Sequence, residues 1–383
     1  MIDTDDQINQ RKSAPGSRIE QKAEPRNPDQ LKRIYVEVTN RCNLNCRACV
    51  RNTWDASPGA MAWDLFQKLL VDLRDFPNLP ELFFGGYGEP LSHPRILEMV
   101  QSAHAEGART SLITNGTLLT PQMWERLTAA GLDFLWVSLD GAHRESYRDV
   151  RLGDHLPQII QCLEGFQASG KEKPALGIAF VLMKRNAADL PALLALCEEL
   201  NVDSLFITHA EAYQESMVEE ILYRGEVSRE SQLPANQAEL SEINGADLGA
   251  LLTEDYSFTV TGSLTGSGEP VCPFVDRAAA VVRWDGAVSP CLPLLYEHTT
   301  FTPSWERKTI PYLVGSIQQR PFRELWIDSK YRSLRGRLLE RSFSPCVTCR
   351  DCWFSHDNLQ DCMGYDHPTC GGCLWAGGFI QCP

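Results

Sequence analysis

Three cysteines stand within eight residues, in the stretch Thr39-Asn40-Arg41-Cys42-Asn43-Leu44-Asn45-Cys46-Arg47-Ala48-Cys49. Thiolates on one tight loop are ligands for zinc or for an iron–sulfur cluster. A structural zinc site takes four ligands, and no Cys or His occurs in the 40 residues after Cys49. A [4Fe–4S] cluster usually takes four Cys, so three leave one iron open, and an open metal position is where chemistry happens. On spacing, a zinc site completed from a distant part of the chain is the alternative. Of 14 cysteines in all, Cys162 and Cys197 stand alone among Leu and Ile and read as small buried hydrophobes. The remaining nine are Cys272, Cys291, Cys346, Cys349, Cys352, Cys362, Cys370, Cys373 and Cys382. They suit two four-Cys iron–sulfur clusters with one thiol to spare, or zinc knuckles built on the CxxC pairs. His356 and His367 lie among them as surface-loop residues or as ligands.

The elements that must position these groups are read from periodicity. Apolar runs at 34–39, 81–85, 110–114, 134–139, 176–183 and 204–208 alternate with helical stretches, a pattern of parallel strands with crossover helices. Thr120-Pro121 is an N-cap followed by proline in the first helical turn. Six strands are too few for a closed eight-strand barrel. The fold class is therefore α/β, either a partial barrel or a doubly wound sheet. Residues 1–30 are polar and aperiodic and read as a disordered tail. Residues 31–210 form the α/β domain, and 211–262 form an acidic linker that shapes the substrate site. Residues 263–383 form a small Cys-rich domain with too little apolar material to fold without metal.

Partner classes follow from charge. The 383 residues carry 36 Lys and Arg against 50 Asp and Glu, a net charge of −14. That excess disfavours nucleic acid and anionic membranes. No apolar run is long enough to span a bilayer, and the N-terminal residues lack a signal core, which predicts a cytoplasmic protein with reduced thiols.

CNLNCRAC after a first strand strongly resembles the CxxxCxxC signature of radical S-adenosylmethionine (SAM) enzymes. The resemblance implies a partial (β/α)6 barrel whose open iron, held by Cys42, Cys46 and Cys49, chelates SAM. Reductive cleavage of SAM then yields a 5′-deoxyadenosyl radical that takes hydrogen from the substrate. Gly85-Gly86-Tyr87-Gly88-Glu89-Pro90 looks like a variant of the family's Gly-Gly-Glu-Pro motif, with Tyr87 and Gly88 placed ahead of the glutamate. Glycines at a strand end let backbone approach a ligand. Glu89 is implied to accept from the SAM ammonium. Asn115 and Ser138, at the ends of strands three and four, are implied to bind its ribose or carboxylate, while Asp140 caps a turn. Strand five, near Phe180 to Met183, is implied to pack on the adenine. Arg51 and Trp54 either face SAM and substrate or pack.

The Cys272–Gly286–Cys291 spacing resembles the opening of a SPASM domain, an auxiliary iron–sulfur module, and Asp285-Gly286 is also a hairpin signal. The later cysteines depart from the usual SPASM run, which leaves their pairing open. Two short stretches, RNTW (51–54) and the Cys-rich C-terminal run, resemble tungsten cofactor oxidoreductase maturases, a group that modifies the cofactor of aldehyde ferredoxin oxidoreductase. What these resemblances imply is a maturase with a SAM-binding [4Fe–4S] cluster and one or two auxiliary [4Fe–4S] clusters. They further imply an electron donor of ferredoxin or flavodoxin type and a protein or pterin substrate. Peptide or sulfatase modification shares the same two modules. A noncatalytic zinc or iron–sulfur scaffold remains as a further alternative.

Overall fold

A computed structural model describes residues 29–169, 174–223, 256–262, 271–303, 306–344, 352–371 and 373–383. The sequence-based tail (1–30) lies almost wholly outside these residues, as do Cys346, Cys349 and most of the acidic linker.

All six expected strands are present: β1 (Arg33–Val36), β2 (Glu81–Phe84), β3 (Thr110–Thr114), β4 (Phe134–Ser138), β5 (Ala175–Leu182) and β6 (Ser204–His209). They pair in parallel and in chain order. Sequential order removes the doubly wound alternative, in which the order reverses at a switch point. Crossover helices α1 (Trp63–Leu73), α2 (Ile96–Ala105), α3 (Pro121–Ala129), α4 (Arg144–Arg151), α5 (Leu156–Ala168) and α6 (Leu190–Glu199) join the strands. Thr120 caps α3 as expected, its hydroxyl accepting from the Met123 N–H at 3.1 Å.

Alternation along the strands sorts two cores. Ile34 and Val36 of β1, with Leu82 and Phe84 of β2, face the helices. Tyr35 and Phe83, pointing the other way, face the barrel lumen. Cys162 and Cys197 are buried in the helix-side core, as their surroundings predict.

The sheet continues past both edges of the six-strand unit. β7 (Thr259–Gly262) adds to β6, and β8 (Ala279–Val282) pairs in parallel with β1. β8 turns through Asp285-Gly286 into β9 (Ala287–Ser289). Gly286 has φ +84°, a conformation that a side chain disfavours, so the Asp-Gly hairpin signal is realised. Strands β10 (His298–Phe301) and β11 (Glu306–Thr309) form a separate ribbon, and β12 (Gly315–Ser316) pairs with β9. The Cys-rich region is thus hydrogen-bonded directly to the first strand of the barrel.

The C-terminal residues close the lumen. Leu374, Trp375, Phe379 and Ile380 pack in the same core as Tyr35 and Phe83. The Thr208 hydroxyl accepts from the Gln381 N–H at 2.9 Å, and Arg33 holds the Pro383 carbonyl at 2.8 Å. The C-terminal run fills the upper lumen, and a cavity of about 480 Å³ remains toward the N-terminal strand ends, lined by Arg33, Glu81, Trp136 and Phe206 among others.

A buried tie joins α1 to the C-terminal region: Asp72 accepts from the Phe322 N–H at 2.9 Å and pairs with Lys68. Asp72→Ala would orphan that donor and should cost about 1–3 kcal/mol. The expected result is a lower thermal midpoint, read by circular dichroism.

Candidate active site

The C-terminal ends of β1 to β4 converge on one cavity of about 290 Å³. Cys42, Cys46 and Cys49 line it from the loop after β1, and Gly86, Tyr87, Gly88 and Glu89 from the end of β2. Thr114 and Asn115 enter from β3, Ser138 and Asp140 from β4, and Val150 and Arg151 from α4. Val181 and Tyr213 complete the wall. Gly85 stands one residue behind, where a Cβ would lie 2.7 Å from both the Phe83 and Ile113 side chains.

Gly88 lets the second loop lie on the first. A Cβ there would sit 2.1 Å from the Thr39 carbonyl oxygen and 2.7 Å from that of Arg41, and the Glu89 N–H donates to the Arg41 carbonyl at 2.8 Å. The Glu89 side chain, 1% exposed, accepts from the Asn115 N–H at 2.7 Å, the Thr114 hydroxyl at 2.8 Å and the Leu91 N–H at 3.0 Å. The carboxylate therefore knits β2 to β3 as well as facing the cavity.

The sulfurs are surrounded by donors. The Leu44 N–H lies 3.5 Å from Cys42 Sγ and Asn115 Nδ2 lies 3.6 Å from it. Arg151 Nη1 is 3.9 Å from Cys46 Sγ. Burial pushes the Cys46 thiol up, and the Arg151 charge works against that. Donors aimed at sulfur favour the thiolate, the form that binds metal. Among the described residues no three His, Cys, Asp or Glu side chains converge as they must around one ion. The three thiols line one cavity, and a set of three cysteine sulfurs would suit an iron–sulfur cluster.

Arg151 was not singled out from sequence. It is 7% exposed, pairs with Asp140 at 2.8 Å and donates to Ser138 Oγ at 2.7 Å. The pair with Asp140 and the Cys46 sulfur overcome the burial that opposes its charge. Because Arg151 occupies an acceptor site on Ser138, the Ser138 proton remains available to a ligand. The sequence signal was position: Tyr147, Val150 and Arg151 share the buried face of α4. Asp140, expected as a turn cap, accepts from the Val181 N–H at 3.1 Å and so links strand ends. Of the strand-five residues, Val181 reaches the cavity, while Phe180 and Met183 are buried in the two cores. Arg51 donates to the Leu44 carbonyl at 2.8 Å. Trp54 packs on Tyr87 and Tyr296 at 5.1 and 4.2 Å, and Arg51 and Trp54 both line an outer pocket with Cys42.

A second cavity gathers Cys291, Cys370 and Cys373. Cys291 is pushed up by burial and by charge on Cys272, Cys373 and Cys370, so four thiols share one buried region. Cys382 lies apart. Its thiol is pushed up to about 12 by burial, opposed by Arg277 and Arg33, and its carbonyl accepts from Arg277 at 2.6 Å. Cys362 is exposed and Cys352 half-buried. His367 is held by two backbone carbonyls, those of Asn358 and Pro311, while His356 is exposed.

Comparison with known proteins agrees with this architecture. The Radical SAM superfamily pattern matches residues 36–197, and the SPASM iron–sulfur cluster-binding domain matches 272–353. The chain is 31% identical to the tungsten-containing aldehyde ferredoxin oxidoreductase cofactor-modifying protein of Pyrococcus furiosus, covering 92% of this chain and 97% of that one. It is 28% identical to the AdoMet-dependent heme synthase of Methanosarcina barkeri, over 79% and 84% of the two chains. The fold matches that of anSMEcpe with bound AdoMet at a TM-score of 0.58 and 18% identity, covering 92% and 91%.

A buried acid at the rim gives a pH signature. Glu37 is fully buried and accepts from the Tyr296 hydroxyl at 2.5 Å and the Tyr87 N–H at 3.3 Å, with Arg283 and Asp285 nearby. Burial raises its carboxyl from the usual 4.5 to about 7. Between those values the folded state holds a proton that the unfolded state has released, so stability falls as pH rises through this window and is level above it. The change is on the order of 3 kcal/mol. Thermal midpoints from pH 5 to 7.5 should show this slope in the wild type and lose it in Glu37→Gln.

Proposed function

This chain belongs to the radical SAM superfamily and carries a SPASM-type iron–sulfur domain, and on that premise we propose that it matures a partner oxidoreductase or the metal–pterin cofactor of that partner. In this reading Cys42, Cys46 and Cys49 hold the SAM-binding [4Fe–4S] cluster. Cys272, Cys291, Cys370 and Cys373 hold an auxiliary cluster, and Cys346, Cys349, Cys352 and Cys362 are the candidates for a second. A [4Fe–4S] cluster held by Cys42, Cys46 and Cys49 would supply one electron to the SAM sulfonium, whose C5′–S bond would break to give methionine and a 5′-deoxyadenosyl radical.

The observation that carries the reading is the convergence of three thiols and the Gly86-to-Glu89 loop on one cavity. Gly85, Gly86 and Gly88 let this loop pack against Ile113, Glu37 and the Thr39 and Arg41 carbonyls, which brings its backbone up to the cysteine loop. Glu89 and Asn115 present acceptor and donor groups to the amino-acid end of SAM, and Ser138 turns its free proton toward a ligand oxygen. Arg151 fixes Ser138 and Asp140 and holds Cys46 as the thiolate. The maturase assignment rests on similarity along nearly the whole chain to a cofactor-modifying protein. A strong one-electron reductant must also reach the cluster, and a small ferredoxin or flavodoxin fits that need.

Replacing Cys42, Cys46 and Cys49 together with Ala should abolish 5′-deoxyadenosine formation. Reconstituted iron should fall by about a third, from about 12 atoms if three four-iron clusters form. The maturase role is tested by producing the partner tungsten or molybdenum oxidoreductase in cells with the wild-type chain, with the Cys42→Ala form, and with neither. Activity and bound metal should appear only with the wild type. Equal activity in all three would reject the role and leave peptide modification as the account.

A further inference from the structure

A hydrogen-bonded pair stands between the two cysteine-lined cavities. Tyr213 lines the first, and its hydroxyl donates to Glu211 Oε2 at 2.8 Å. Glu211, 8% exposed, lines the second. Its other oxygen accepts from the Thr300 hydroxyl at 2.9 Å, and Oε2 also accepts from Trp375 Nε1 at 3.3 Å. Trp375 follows Cys373 by two residues. Phenol, hydroxyl and indole are neutral donors that converge on this carboxylate, and its field reaches Cys373 and Tyr87. Both residues fall in the segment that sequence periodicity left as a linker.

We propose that Tyr213 and Glu211 are positioning residues that make the reduction potential of the auxiliary cluster depend on what occupies the first cavity. The inference rests on the ligand assignments of the proposed function. Adding one electron to a cluster is opposed by nearby negative charge, and each hydrogen bond donated to Glu211 disperses some of that charge. A SAM-like ligand brings carboxylate and ribose oxygens into the cavity that Tyr213 lines, and these compete with Glu211 for the phenol. When the phenol turns to the ligand, the charge of Glu211 concentrates beside Cys373 and the potential falls. No bond is made or broken: the phenol keeps its proton, and the only redox change is the one-electron reduction of the cluster. Linkage makes the effect reciprocal, so an oxidised auxiliary cluster favours ligand binding and a reduced one weakens it by the same factor. The auxiliary site therefore stays oxidised while the first cavity is loaded and accepts an electron more readily once it empties.

The test is an anaerobic redox titration of the holoenzyme followed by EPR, with and without S-adenosylhomocysteine, which carries the same amino acid and ribose but no sulfonium to cleave. Binding is read independently from the change it makes in the signal of the first cluster. In the wild type the ligand should lower the auxiliary midpoint by about 59 mV, a tenfold change in the oxidised-to-reduced ratio at fixed poise. Tyr213→Phe should start from a lower midpoint and show no shift on binding. Glu211→Gln should start higher and likewise show none. A bound ligand that leaves the wild-type midpoint unmoved, or an equal shift in Tyr213→Phe, overturns the coupling while the ligand assignments stand. A wild-type enzyme with no auxiliary signal overturns both.

Discussion

The Glu89 carboxylate is the tie on which the geometry of the site depends. Three donors from two loops end on it, and its own backbone N–H holds the Cys loop at Arg41. Each donor left without it would be a buried orphan worth about 1–3 kcal/mol. Gly88 beside it permits two backbones to touch where any Cβ would collide. The strand register does the rest: parallel pairing in chain order brings four C-terminal strand ends to one side, where ligands of such sheets bind.

The second constraint is that the two cysteine fields share one framework. β8 extends the sheet from β1, and Tyr296, just past β9, reaches back to Glu37 of the loop after β1. The run that carries Cys370 and Cys373 continues into the lumen, where Phe379 and Ile380 pack with Tyr35. Under the proposed ligand assignment, assembly of the auxiliary cluster would anchor the residues that pack within the barrel. Tyr87, Tyr213 and the cysteines of the first loop meet above that packing, in the cavity at the C-terminal strand ends.

Much of this was legible in the sequence because it lay in local patterns. Strand runs, the Thr120 cap and the Asp285-Gly286 hairpin follow from spacing within a few positions, while the Gly85-to-Glu89 motif, Asn115 and Ser138 were implied by the family resemblance. Arg151 and Glu211 were not legible, because each acts on partners far along the chain: Arg151 on Cys46, and Glu211 on Thr300 and Trp375. Glu37 left a faint trace as a charged residue in the apolar run IYVEVT, in step with the lumen-facing Tyr35. The pairing of Cys272 and Cys291 with Cys370 and Cys373 is tertiary in the same sense, and spacing alone could not choose it among nine candidates.

The central claim is that the three-cysteine loop leaves an iron open for SAM in the cavity built around Glu89. Its most direct measurement is electron–nuclear double resonance on the reduced enzyme with SAM labelled with nitrogen-15 at the amino group and oxygen-17 at the carboxylate. The account predicts strong hyperfine coupling from both labels to one iron of the first cluster. SAM that binds with neither label coupled to iron would contradict it.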